Sequence, residues 1–286
     1  MQFSNESPTV PPEFHSRRLP GAASRASPQP SLILALRRRK ALLIDLAVIA
    51  GLWELSAFWL PPILAPSLAD IGRELLRTIT SSASLTHIGA TVARILFALW
   101  ISFLVGGALG LAMGLSDPAR RYIQPLLHMI QGVPSLSWVV FAVIWFSQVE
   151  LRILFVLVIT TIPSFALQIE DAVRGIPRDL WELVRALRAS QSQMIRMLVI
   201  PSIIPEVLTA WKVNVGNATR VAVIAELVGG TLGVGYQLLM AQQVFNMAGA
   251  IAWTAVLVMA LALIQSGLSA LDTYLLRWRP VHEAAS

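Results

Sequence analysis

The sequence predicts an all-α membrane protein of about six transmembrane helices, and three observations carry that expectation. Of 286 residues, 56% are hydrophobic and only 13% charged, outside the composition of soluble domains. Several apolar runs approach or exceed the roughly 20 residues that a helix needs to cross a hydrocarbon core about 30 Å thick. The basic residues stand in short segments beside those runs, a pattern that orients membrane helices and does not line a nucleic-acid groove. The net charge of +6 therefore points to membrane lipid as a partner and not to nucleic acid. No cysteine is present, which excludes a disulfide framework and a thiolate metal site.

Residues 1–36, rich in Pro, Ser and Arg and without apolar periodicity, read as a disordered cytoplasmic tail. No signal peptide is expected, because the first apolar run opens only at Ala41. One membrane domain covers 37–280, and 281–286 form a second short cytoplasmic tail. The cluster Arg37, Arg38, Arg39 and Lys40 should hold the N-terminus in the cytoplasm. The first span, about 41–60, carries Trp53-Glu54 and stops at Pro61-Pro62; a glutamate in a span is costly, less so near its end. Residues 67–79 read as an amphipathic surface helix opened by Ser67 and Asp70, a near capping box.

The second span, about 88–115, places Gly106, Gly110 and Gly114 on one face. They either admit another backbone closely or reflect ordinary glycine enrichment in membrane helices. Ser116-Asp117-Pro118 ends this span, and Arg120-Arg121 put the turn in the cytoplasm. The third span, about 123–147, contains Pro134, which must free a backbone carbonyl. The fourth, about 151–170, is kinked at Pro163, and the polar segment 171–200 follows. The fifth begins after Pro205, runs to about Val228, and carries Lys212, Asn214, Asn217, Arg220 and Glu226, a heavy polar load. Gly229, Gly230, Gly233 and Gly235 read by default as a flexible outer turn, since no strand precedes them and no Gly-Lys pair follows. The sixth span covers about 249–275. With both termini inside, 16 of the 22 Lys and Arg fall on the cytoplasmic side.

No catalytic constellation is expected. His15, His87, His128 and His282 are scattered without a second ligand at helical spacing, so no metal site is predicted. Gly267-Leu268-Ser269-Ala270 lacks the final glycine of a membrane serine protease motif. Lys40 and Lys212 are the lysines, and neither follows glycine, which excludes a Walker A loop. The chain is thus expected to be no enzyme and to hold no cofactor; any ATPase driving it must be another polypeptide. A secondary transporter is the rival class, but it would want internal repeats and coupling carboxylates at mid-membrane, and Glu226 alone supports it thinly.

The stretch 182–201, ELVRALRASQSQMIRMLVIP, resembles the EAA loop of ABC import permeases. That motif reads E-A-A, three residues, G, nine residues, then I-x-L-P. Here Glu182 leads, Leu183 and Val184 replace two alanines, Arg188 stands at the glycine, and Leu198, Ile200 and Pro201 close the motif at the same spacing. Further likenesses are Trp53-Glu54, Thr91 and Arg94 against S-L-x-R, Trp138 beside a missing second proline, and Ala225-Glu226 with Gly233 and Gly235. They extend over about 41–280 and resemble most the permeases for sulfonates, taurine and nitrate, with relatives serving vitamin precursors.

The resemblance implies a type I ABC importer permease fold of the bacterial inner membrane and a cytoplasmic coupling helix that docks on the ATPase. It also implies ATPase subunits, an extracytoplasmic solute-binding protein and a second permease chain, in a homodimer, as partners. Glu182, Leu183, Val184, Arg188, Ile200 and Pro201 would form the coupling site, with Glu182 either meeting a basic group of the ATPase or lying on a solvated helix face. Asn217, Glu226, Gly233 and Gly235 would belong to the translocation pathway or its outer gate, with a hydrogen bond from Glu226 to the loop as the alternative. The solute would be small and anionic.

Overall fold

The computed structural model describes residues 32–276, and among them every regular element is a helix. Most of the expected tails at 1–36 and 281–286 lies outside the described residues; 32–36 are helical, because α1 (Leu32–Trp59) opens upstream of the basic cluster. The chain divides within α1, residues up to Gly51 forming one unit and those from Leu52 onward the other.

The end of α1 is tied to α2 (Leu68–Thr80) by two side chains of the Trp-Glu pair. Trp53 Nε1 donates to Pro66 O at 3.0 Å, and Glu54 accepts from the Leu68 N–H at 3.0 Å. A carboxylate at a helix N-terminus meets unpaired N–H groups and the positive end of the dipole, which accounts for a glutamate at this place. Ser67 caps α2 as its spacing predicts: its oxygen accepts from the Asp70 N–H, and its hydroxyl donates to the Asp70 carboxylate at 2.7 Å.

α3 (Ser82–Leu115), α6 (Val149–Arg174) and α9 (Ile200–Gly229) build the core, with Ile95, Leu99, Leu157, Phe165, Val215 and Ala222 fully enclosed. The glycine row of α3 is the seam with α6. A Cβ added at Gly106 would lie 2.7 Å from Ile162 O, one at Gly110 2.5 Å from Ala166 O, and one at Gly114 2.6 Å from Val173 Cβ. Close approach of two backbones, and not composition, is therefore why glycine stands at these places. Ser102 and Thr161 add a buried hydrogen bond of 2.7 Å across the same seam.

The third expected span is two helices, α4 (Asp117–Gly132) and α5 (Ser135–Trp145), bent by 91°. Pro134 does not merely loosen a continuous helix; together with Val133 in extended conformation it ends one and starts the next. After α6 come α7 (Arg178–Ala186), α8 (Gln191–Met194) and a π turn (Ile195–Val199) that leads directly into α9. The fifth span thus begins earlier than the expected Pro205. Pro201 sits in the first turn of α9 directly after the π turn, and Pro205 falls inside the helix. α10 (Val234–Gln243) and α11 (Met247–Leu275) complete the chain.

Among the described residues, four helices are long and apolar enough to cross a membrane by themselves, five if the bent pair is one span. The apolar part of α1, Ala47–Trp59, is shorter. The expected count of six is thus approximate.

Candidate functional site

Two groups of polar residues stand at opposite ends of α9. At the Gly229 end, Glu226 is fully buried yet completely answered. The Thr91 hydroxyl donates to its two oxygens at 2.8 and 2.9 Å, Arg94 Nη1 donates at 2.7 Å, and the Gly235 N–H at 2.9 Å. Arg94, itself 9% exposed, also forks onto Glu150 of α6 at 2.5 and 2.8 Å and reaches Leu232 O at 2.6 Å. A buried charge is tolerable only when paired and hydrogen-bonded, and here both partners are. Thr91 in turn accepts from the Val234 N–H at 2.9 Å, and His87 Nδ1 accepts from the Gly233 N–H at 3.1 Å.

The glycines between α9 and α10 are shaped by this carboxylate. Gly233 has φ 128°, a conformation essentially confined to glycine, and any Cβ there would strike the carboxylate of Glu226. A Cβ on Gly230 would lie 2.5 Å from Glu226 O, and one on Gly235 2.7 Å from Glu226 Cβ. The run expected as a flexible turn is packed onto Glu226, and α3, α6, α9 and α10 meet there. Asn217, placed in the same candidate pathway, lies apart: it is exposed two and a half turns below Glu226, with Arg220 3.4 Å from its oxygen.

At the other end, α7 carries the coupling-loop candidates. Trp181 and Val184 pack on Val173, Ile176, Leu198 and Ile203, while Glu182, Leu183, Arg188, Ile200 and Pro201 are exposed. Five of the six candidates are thus exposed, and Val184 packs against the bundle. Leu183 at 57% and Leu187 at 73% exposure leave apolar area beside Glu182. A cavity of about 780 Å³ opens between Glu182, Arg185, Arg178, Asp117 and Met194.

Arg188 has φ 53°. It is the residue just past the end of α7, with its N–H bonded to Arg185 O at 2.9 Å and the Ala189 N–H to Val184 O at 3.4 Å. That is the Schellman arrangement, which glycine ordinarily fills because a left-handed residue with a Cβ is strained. Arg188 thus holds, under strain, a left-handed position that glycine would take without it.

Two features escaped the sequence reading. One is the pairing of Arg94 with Glu226; the signal available was a lone base and a lone acid, each inside a span. The other is a cluster joining α4 to α6: Arg120 reaches Glu170 at 2.5 Å, and Arg174 reaches Glu170 at 3.2 Å and Asp117 at 2.6 Å. Glu170 is fully buried, and nothing in its spacing announced the two arginines. Among the described residues no group of His, Asp or Glu could hold a metal.

Among the described residues the chain is a bundle of helices, four of them long and apolar enough to cross a membrane, which defines a membrane protein of the helical class. The profile of the binding-protein-dependent transport system inner membrane component family matches residues 102–278, and the chain belongs to that family. It is 28% identical over 192 residues to the taurine transport system permease protein TauC of Escherichia coli (strain K12), covering 67% of this chain and 70% of that one. It is 30% identical over 231 residues to the formylaminopyrimidine transport permease protein ThiX of Halalkalibacterium halodurans, covering 80% and 91%. Its fold is similar to a chain of the MetNI methionine ABC transporter in an inward-facing form, with TM-score 0.62 and 18% identity over 67% of this chain and 95% of that chain. The protein is a multi-pass inner-membrane permease subunit of an ABC importer. It is not an enzyme; the ATPase is a separate subunit, and a binding protein is its other kind of partner.

Proposed function

We propose that two identical copies of this chain form the pathway of an importer for a small oxyanion such as a sulfonate, taurine or nitrate. The observation that carries the solute class is the run of relatives named for taurine, aliphatic sulfonates, bicarbonate and nitrate. A second reading, a vitamin-precursor permease, is favoured by the 30% identity to a formylaminopyrimidine permease. Uptake of labelled taurine, methanesulfonate, nitrate and formylaminopyrimidine by cells producing the complete transporter separates the two. Saturable, ATP-dependent import of one of the anions is expected; import of the pyrimidine alone overturns the anion reading.

In this reading α7 is the coupling helix on the cytoplasmic side, where both termini and the tails 1–36 and 281–286 also lie. Glu182, flanked by exposed Leu183 and Leu187, is set to insert a charge within an apolar rim, an arrangement suited to a desolvated contact with a basic group of the ATPase. Arg188, Ile200 and Pro201 complete the surface, and Val184 holds it to the bundle. Glu182→Ala should abolish recovery of the ATPase in a pull-down while leaving membrane insertion intact. Undiminished recovery together with undiminished uptake would remove α7 from that role. Glu226, with Gly233 and Gly235, acts at the outer gate by fastening the turn above α9 to α3, and Asn217 lies on the path itself.

A further inference from the structure

Arg94, Lys212 and Arg220 are the cations that lie deep in the spans, and only two of them are answered by acids. Arg94 meets Glu150 and Glu226, and Lys212 meets Asp272 at 2.6 Å. Arg220 meets no carboxylate among the described residues, and its polar contact is the Asn217 oxygen at 3.4 Å. It is exposed, and it lies nine residues short of the α9 terminus at Gly229, about two and a half turns down the helix. Extension alone does not carry a guanidinium from that depth to the end of the helix.

The surface around Arg220 differs from the rest of the perimeter. Exposed positions midway along α3, α5 and α11 are apolar or small neutral hydroxyls, as at Phe97 and Leu104 of α3, Ile144 of α5 and Thr254, Leu263 and Ser266 of α11. On α9 the exposed positions recur at helical spacing as Glu206, Thr209, Val213, Asn217 and Arg220. Gly216, one turn before Arg220, has nothing within 4 Å of where a Cβ would stand, so no neighbour in this chain requires glycine there. Its missing side chain leaves free room beside the guanidinium. A charged face of this kind is expensive against lipid and is found where a span borders water. Packed on a second copy across a twofold axis, it would bring Arg220 toward its own equivalent, and like charges oppose that.

We propose that this face of α9 lines the solute path and that Arg220, steadied by Asn217, receives the negative group of a small oxyanion on its way across. A guanidinium presents a planar fork of donors that matches the oxygens of a sulfonate, nitrate or carboxylate. The inference rests on the anion reading above for its ligand, and on the structure alone for its place.

The absence of cysteine makes the test clean. Arg220→Cys, Asn217→Cys and, as a lipid-facing control, Leu104→Cys are introduced singly into the complete transporter and treated with a charged, water-soluble methanethiosulfonate. The two α9 cysteines should react on the order of a hundred-fold faster than the control, because thiolate forms only where water reaches. Reaction no faster than at Leu104→Cys overturns the proposal. In uptake assays Arg220→Gln should lose about tenfold or more of anion import, a loss of one charged hydrogen-bonding partner, with Arg220→Lys retaining a larger share. Undiminished import by Arg220→Gln overturns the role in recognition. Import of formylaminopyrimidine alone by the wild type removes both the anion reading and the oxyanion role, and the labelling result then says separately whether α9 lines the path.

Discussion

Glu226 shows how one buried carboxylate organises a whole end of the bundle. Its hydrogen-bond partners come from two helices, α3 and α10, and the three glycines around it leave no room for any other side chain. Removing one member of a buried ion pair strands the other and costs about 3–5 kcal/mol. Glu226→Gln keeps the shape and the contacts to Thr91 and Gly235 but leaves Arg94 with the mostly exposed Glu150 alone. The variant should lose roughly 3 kcal/mol of stability, read as a lower midpoint of thermal aggregation in detergent, with uptake reduced in parallel. Adding Arg94→Gln should return part of that loss. Wild-type midpoint and uptake in Glu226→Gln would show that the charge fastens nothing. Thr91, Arg94, Glu226, Gly233 and Gly235 could each be picked out of the sequence, but not their meeting. Thr91 and Glu226 are 135 residues apart, and which faces of α3 and α9 oppose each other is settled by packing, not by local pattern.

Helices with a local signal were legible, and breaks imposed by neighbours were not. The serine cap of α2 follows from spacing, whereas the glycine row of α3 leaves close packing and ordinary enrichment both open until α6 is placed against it. The 91° bend at Pro134 and the early start of α9 through a π turn do not follow from spacing, since a proline in an apolar run fits a kink, a break or a first turn equally well. α7 is a helix whose end carries a prediction. Were Arg188 inside a helix, glycine there would cost about 1 kcal/mol. It is instead the left-handed residue beyond the helix, where glycine relieves about 1–2 kcal/mol of strain. Arg188→Gly should therefore slow hydrogen exchange of the amides at 183–189 several-fold, with insertion unchanged. Faster exchange in the variant would mean that the arginine side chain, and not the backbone, holds this end. Recovery of the ATPase by the same variant then reports whether the arginine also makes a contact of its own.

At the scale of the molecule the contacts sort the loops into two sets before any charge is counted. Thr91, Arg94, Glu226 and Val234 meet at one end of the bundle, so the start of α3 and the α9–α10 turn share a side. Arg120, Glu170 and Arg174 meet at the other, which puts the α3–α4 turn, the end of α6 and α7 together. The first side holds Arg73 and Arg77 of α2 and Arg152 at the start of α6; the second holds Arg120, Arg121, Arg174, Arg178, Arg185, Arg188 and Arg196. Lys and Arg in short loops stay on the cytoplasmic side, so the second set is expected to face the cytoplasm. Reporter fusions after Ala119 and Ala189 should therefore read as internal, and fusions after Asp70 and Gln243 as external. The pairing is the stronger half of the prediction, because it rests on packing: Ala119 must agree with Ala189 and Asp70 with Gln243, whichever way the molecule is inserted. A split within either pair would contradict the arrangement of α3, α6 and α9. All four signals reversed would leave that arrangement intact but place α7 outside, where no ATP-driven partner could reach it.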